Sequence, residues 1–270
     1  MEMSRDMNTV GSTRTSGNCS AMRAKVANEP AICVSAPRCY MKRMKPPLRS
    51  RCVGRPTATL EKRSPINLPG RDESRLALAQ ELHLPSSSRF VGMVAVLRNW
   101  NGHAYLIEAF DQIAKQLPDH HLILAGNGPQ KHLQSQIDAC KSKKRMHLIG
   151  HRENPWPVFR ALDVAVLSSV KNEGIPQTGL QAMFAKTPFL GTKVGGIPEI
   201  IDHMQTGFLV APSDATSIAN GLTKLLCDEN LRHHVSSSAQ QFALNHAAMN
   251  ICGKEVESLI TSVLKVQNTF

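Results

Sequence analysis

From about residue 64 onward, short apolar runs alternate with stretches whose apolar residues recur every three or four positions. Residues 90–97 (FVGMVAVL) form an uninterrupted apolar run, which predicts a strand buried on both faces. Residues 103–117 place Leu106, Ala109, Phe110, Ile113 and Leu117 on one side of a 3.6-residue period, so they predict an amphipathic helix. A second strand is predicted over 121–125, closed by Gly126-Asn127-Gly128-Pro129 and followed by a polar helix. Further strands are predicted over 146–149, 163–167, 188–192 and 207–210. Closing helices are predicted over 214–227 and 229–246, with a last amphipathic stretch over about 250–266. Strands without a polar face, separated by helices, bury both faces only inside a helix-covered parallel sheet. Residues 64–270 therefore read as one α/β domain, a doubly wound parallel sheet, with ligands expected at the carboxyl ends of its strands.

Residues 1–63 follow no such period and mix Met, Arg, Ser, Cys and Pro. They bury too little apolar surface to offset the entropy of ordering them. The segment is expected to be disordered or artefactual. It can be read as a basic tail for an anionic membrane or nucleic acid, as a targeting peptide (against which Glu2 and Asp6 argue), or as the product of a wrong start or shifted frame. Charge divides at the same place. The chain's net +11 resolves into 13 Lys/Arg against 4 Asp/Glu over residues 1–63, and 19 against 17 over the rest. A nearly neutral body argues against a folded part that grips nucleic acid. No apolar run is long enough to span a bilayer, so a cytoplasmic protein is expected, with the inner membrane face as an alternative location. Seven irregularly spaced cysteines indicate reduced thiols, and no paired Cys spacing points to zinc.

Chemistry concentrates in three places. The densest is Asn172-Glu173-Gly174-Ile175-Pro176-Gln177-Thr178-Gly179-Leu180-Gln181, a loop feeding a helix that starts near Pro176. The N–H groups at such a start, including those of Gln177 and Thr178, attract an anion. A carboxylate at Glu173 beside a phosphate site needs another task, and accepting hydrogen bonds from sugar hydroxyls is one; stabilising the helix dipole is the alternative. Gln181, one turn into the helix, is placed to hydrogen-bond a ribose. Gly195-Gly196-Ile197-Pro198-Glu199 allows close backbone approach to a ligand, or forms a plain tight turn. Arg98, at the end of the first strand, is either a bidentate phosphate ligand or a solvated surface arginine. His103 reads as a helix-start residue, and Arg152, after the third strand, as a candidate wall of a base pocket. Gly126-Asn127-Gly128 opens like a dinucleotide fingerprint, but Lys131 stands at its sixth position, which argues against an NAD-dependent dehydrogenase.

Taken in order, the segments 96–103, 126–129, 172–183, 195–199 and 206–210 make residues 64–270 resemble the C-terminal domain of family 4 (group 1) retaining glycosyltransferases of GT-B fold. The resemblance implies transfer of a sugar from a nucleotide-diphosphate sugar to a glycan or glycolipid acceptor, in cell-surface polysaccharide or lipopolysaccharide synthesis. No metal or other cofactor is implied. Glu173 matches the first glutamate of the family's E-x7-E motif, which contacts the donor sugar. Gly174, Ile175, Pro176, Gln177 and Thr178 match the loop whose backbone amides meet sugar and diphosphate, and Arg98 matches the basic residue that neutralises the diphosphate as it departs. Two residues depart from the pattern. Gln181 replaces the second glutamate, and Asn101 replaces a lysine, a change that weakens leaving-group stabilisation by about 1–3 kcal/mol. The likeness stops abruptly near residue 63, so a truncated or frame-shifted chain with weak activity is expected. The reading from another class is a non-catalytic α/β binding protein with a basic tail for an anionic partner.

Overall fold

The structure, a computed structural model, describes residues 68–171, 173–248 and 257–258. The predicted irregular segment 1–63 lies outside the described residues, as does all but two residues of the predicted 250–266 helix.

Six strands form one wholly parallel sheet: β1 (Arg89–Val94), β2 (His120–Ala125), β3 (Met146–Gly150), β4 (Val164–Leu167), β5 (Phe189–Thr192) and β6 (Phe208–Val210). Their spatial order is β3-β2-β1-β4-β5-β6. The chain winds outward from β1 to β3, returns to lay β4 beside β1, and winds outward the other way. That reversal leaves a crevice beyond the carboxyl ends of β1 and β4, the position where open sheets of this kind hold their ligands. Each strand predicted from an apolar run is present. The first is shorter than the run implied, because residues 95–97 run past the end of β2 onto the loop that follows it: Ala95 N–H donates to Ala125 O (2.9 Å) at the last residue of β2, and Leu97 N–H to Asn127 O (2.8 Å) beyond it.

The helices are α1 (Arg71–Glu81), α2 (His103–Ile113), α3 (Lys131–Ala139), α4 (Trp156–Ala161), α5 (Gln177–Phe184), α6 (Ile197–Ile200), α7 (Ala215–Cys227) and α8 (Glu229–His246). α2 packs against α7 and α3, α1 against α4, and α5 against α8. Phe90, Phe110, Phe159 and Phe189 are wholly enclosed between sheet and helices. Each contributes about 1.5–3 kcal/mol through burial. Asp214 and Asp228 start α7 and α8 by accepting from Ser217 N–H (2.9 Å) and Leu231 N–H (2.8 Å).

Two buried histidines make the fold sensitive to acid. His121 of β2 is 8% exposed and lies 3.0 Å (Nδ1 to Nε2) from His147 of β3. Burial first, then the neighbouring His147, lowers its pKa to about 4. His103, at the start of α2, is 2% exposed and is also lowered to about 4 by burial, with the Arg98 backbone weakly opposing. Each imidazole titrates near 6.5 when unfolded, so between those values the unfolded chain binds more protons. Their contribution is therefore complete above about pH 6.5 and is lost as the pH falls toward 4. The expected loss is on the order of 2 kcal/mol per histidine. Thermal denaturation from pH 7.5 to 4.5 should show a falling Tm, with a shallower fall in His121→Gln; equal slopes for both proteins would refute this origin.

Candidate functional site

The crevice has two walls. The first is the loop leaving β1. After Arg98 the chain makes a single 3-10 turn (Asn99–Asn101) and enters α2 through Gly102, whose φ of 75° lies in the left-handed region. A Cβ at Gly102 would stand 1.9 Å from Ser168 O, so only glycine allows this loop to lie against β4. Arg98 is exposed, and its guanidinium carbon sits 5.2 Å from the centre of the Trp100 ring. This cation–π contact restrains the guanidinium, whose N–H groups donate to no protein acceptor among the described residues. Asn101 does not substitute for a cation: its Nδ2 donates to Val96 O (2.8 Å), bracing the loop from within.

The second wall is the loop leaving β4. Ser168 and Ser169 are wholly buried at the strand's end. Ser168 Oγ donates to Gly102 O (2.9 Å) and Val170 N–H donates to Trp100 O (2.8 Å), which stitches the two walls together. Ser169 Oγ donates to Glu173 Oε2 at 2.6 Å, while Thr192 Oγ1 of β5 donates to Ser169 O at 2.5 Å. The Glu173 carboxylate is thus half-buried and aimed by a hydroxyl that is itself anchored in the sheet. Burial raises its pKa, and the Ser169 hydrogen bond acts in the opposite direction.

The two glycine-rich constellations form one structure. Gly195 has φ 55°, and a Cβ there would lie 1.8 Å from Glu173 O; Gly196 N–H donates to that same carbonyl at 3.3 Å. The turn after β5 therefore supports the Glu173 loop from behind. Pro176 differs slightly from the sequence expectation. It adopts φ −76° and ψ 119° and caps α5 rather than occupying its first turn, which begins at Gln177. Its extended ψ keeps it out of the helical region, while its carbonyl already accepts from Gly179 N–H (3.1 Å) and Leu180 N–H (3.3 Å), the position of a helix-preceding residue. Gly174 is exposed, Ile175 packs against the core, and Gln181 is half-buried one turn into α5. Thr178 Oγ1 donates to Val94 O (2.8 Å), which ties α5 to the end of β1.

Gly126, Asn127 and Gly128 border the β1 loop. A Cβ on Gly126 would meet Ala95 O at 1.8 Å, Asn127 O receives Leu97 N–H, and Gly128 has φ 136°. Arg152 is turned onto Glu81 of α1 in a two-pronged ion pair, with contacts of 3.2 and 2.5 Å. Asn172 lies outside the described residues. Sequence reading missed the roles of Ser168, Ser169 and Thr192; the available signal was two hydroxyls closing an otherwise apolar strand. Among the described residues, no group of three or more His, Cys, Asp or Glu is placed to hold a metal ion.

The family model for "Glycosyl transferases group 1" matches residues 74–242, which include every candidate residue above. The chain belongs to the group 1 glycosyltransferases. It is 27% identical over 189 residues to N-acetyl-alpha-D-glucosaminyl L-malate synthase of Bacillus anthracis, covering 70% of this chain and 49% of that enzyme. Alr3699/HepE of Anabaena, solved in complex with UDP-glucose, superposes with a TM-score of 0.64 at 26% identity, over 70% of this chain and 53% of that one. The solved C-terminal domain of a group 1 glycosyl transferase, LpcC from Francisella tularensis, gives a TM-score of 0.55 at 27% identity, over 62% of this chain and 90% of that domain. This glycosyltransferase chain thus spans about half the length of the curated relatives it matches, and its described fold is similar to the solved C-terminal domain of LpcC. Among the described residues, no helix is long and apolar enough to cross a membrane.

Proposed function

We propose that this chain binds the donor of a retaining glycosyltransferase, a nucleotide-diphosphate sugar, in the crevice between β1 and β4. The observation that carries the proposal is the Glu173 carboxylate, held by Ser169 beside the start of α5 in a loop stitched to the one bearing Arg98. Arg98 faces the diphosphate and stabilises the charge that gathers there as the sugar departs. Backbone N–H groups of the Gly174–Thr178 loop meet the phosphates and sugar. Glu173 accepts from sugar hydroxyls, and Gln181 reaches the ribose. The same reading gives a glycan or glycolipid as acceptor, in surface polysaccharide or lipopolysaccharide synthesis. Its support is family membership and the UDP-glucose complex of the Anabaena neighbour.

Calorimetry with UDP, GDP and ADP tests the donor site. One of the three should bind, and Arg98→Ala should weaken that binding by about 10- to 100-fold, the value of a charged hydrogen bond. Affinity unchanged by Arg98→Ala, or no binding by any of the three, contradicts the proposal.

A further inference from the structure

The opposite edge of the sheet holds a second polar centre. The amino-terminal ends of β1, β4 and β5 open into a cavity of about 450 Å³, lined by Arg71, Arg75, Arg89, Arg160, Lys186 and Arg232. Only three acids share that lining: Asp72, Asp163 and Glu229. Asp163 is already saturated. Its carboxylate accepts from Arg75 at 2.8 Å, Arg71 at 3.3 Å, Arg89 at 3.4 Å and the Phe90 N–H at 3.0 Å. The Asp72 carboxylate is 96% exposed, and Glu229 is also exposed, so water screens both.

A structural task accounts for some of these cations. Arg71 donates to Leu162 O, Arg160 to Ala185 O, and Arg232 to Leu225 O and Leu226 O, each satisfying carbonyls at a helix end. It does not account for Arg89 and Lys186. The Arg89 side chain is 46% exposed and, among the described residues, makes only its 3.4 Å contact with Asp163. Lys186 has no hydrogen bond or ion pair from its ammonium among the described residues, and its backbone is unusual. It follows α5 with φ 55°; Lys186 N–H donates to Met183 O (3.0 Å) and Thr187 N–H to Ala182 O (2.9 Å). That helix-ending motif favours glycine at the left-handed position, because any Cβ there is strained. A lysine in this place brings a positive charge to the cavity at a conformational cost, and helix termination does not require it.

We propose that this cavity is a binding site for a phosphate-bearing anion, a phosphomonoester or diphosphate, separate from the donor crevice. Arg89 and Lys186 supply the open donors, and the guanidiniums packed around Asp163 supply the surplus positive field. The phosphate belongs either to a free ester or to a lipid headgroup.

The test is thermal denaturation of the full chain with inorganic pyrophosphate at fixed ionic strength, in the Arg98→Ala background so that the donor crevice contributes little. A saturable rise in Tm is expected. Lys186→Gly separates fold from function at this position: without pyrophosphate its Tm should equal or exceed that of its parent, while the apparent pyrophosphate affinity falls about tenfold. Arg89→Gln should weaken the affinity similarly. Flotation with phosphatidylcholine vesicles containing phosphatidic acid distinguishes the sources. Capture that Lys186→Gly removes and pyrophosphate competes away assigns a headgroup; a Tm response without such capture assigns a free ester. No saturable shift together with no Lys186-dependent capture would overturn the proposal. An affinity for pyrophosphate that Lys186→Gly leaves unchanged would overturn it as well.

Discussion

Asp163→Ala should destabilise the domain by about 3–5 kcal/mol, the effect of removing one partner from a buried ionic cluster. Asp163 is 2% exposed and stands at the entry to β4. Its two oxygens collect three guanidiniums and the first N–H of the apolar part of β1. Truncation leaves Phe90 N–H buried without that acceptor and three like charges converging on an empty space. Arg71 already shows the strain of this packing: burial lowers its pKa, Arg75 and Arg160 lower it further, and Asp163 is what holds it up. A domain of this size loses roughly 2–4 °C of Tm per kcal/mol, so a fall of about 10 °C is expected. Asp163→Asn should recover part of the loss by still accepting the Phe90 N–H. A cost below about 1 kcal/mol for Asp163→Ala would show that the partly exposed arginines are served by water, as in a surface pair.

Glu173→Ala should leave the affinity for the free nucleotide diphosphate within about twofold of wild type, yet lower the affinity for the matching nucleotide sugar by about tenfold or more. The asymmetry follows from the carboxylate's position. Beside a diphosphate its charge is unfavourable, so its removal costs the nucleotide nothing, whereas charge-assisted hydrogen bonds to sugar hydroxyls contribute about 1.5–3 kcal/mol. Ser169 holds the carboxylate, and the Gly195–Gly196 turn holds the Glu173 backbone, before ligand arrives, which keeps the ordering cost of binding low. Competition calorimetry with nucleotide and nucleotide sugar checks this directly. A loss shared equally by both ligands would mean that Glu173 shapes the loop rather than contacting the sugar.

The sheet was legible because its central strands β1, β4 and β5 are buried on both faces and the edge strands β3 and β6 still carry short apolar runs. α1 was not. Its exposed face dominates the sequence RDESRLALAQE, only Ser74, Leu78 and Ala79 are buried, and Leu76 is 43% exposed, so no apolar period emerges. α4 is six residues long with Pro157 inside it, too short for a period to register. In the crevice, Glu173 stood out because glycine and proline punctuate its loop. The Thr192–Ser169–Glu173 chain did not, because it depends on the register that sets β4 beside β5, and nothing local to residue 192 reveals a partner at 169. The anion cavity was harder still, since its six cations come from α1, β1, α4, α8 and the turn after α5.

A nucleotide diphosphate bound as proposed sits at the carboxyl ends of the strands, between the Arg98 and Glu173 loops. The most direct test is to titrate UDP, GDP and ADP into the isotope-labelled chain and follow its backbone amide resonances. One nucleotide should shift the amides of Gly126, Gly128, Gly174, Ile175, Gln177 and Thr178, while those of Arg71, Arg89 and Lys186 move little by comparison. Shifts confined to the opposite edge, or none in the Glu173 loop with any nucleotide, would contradict this placement.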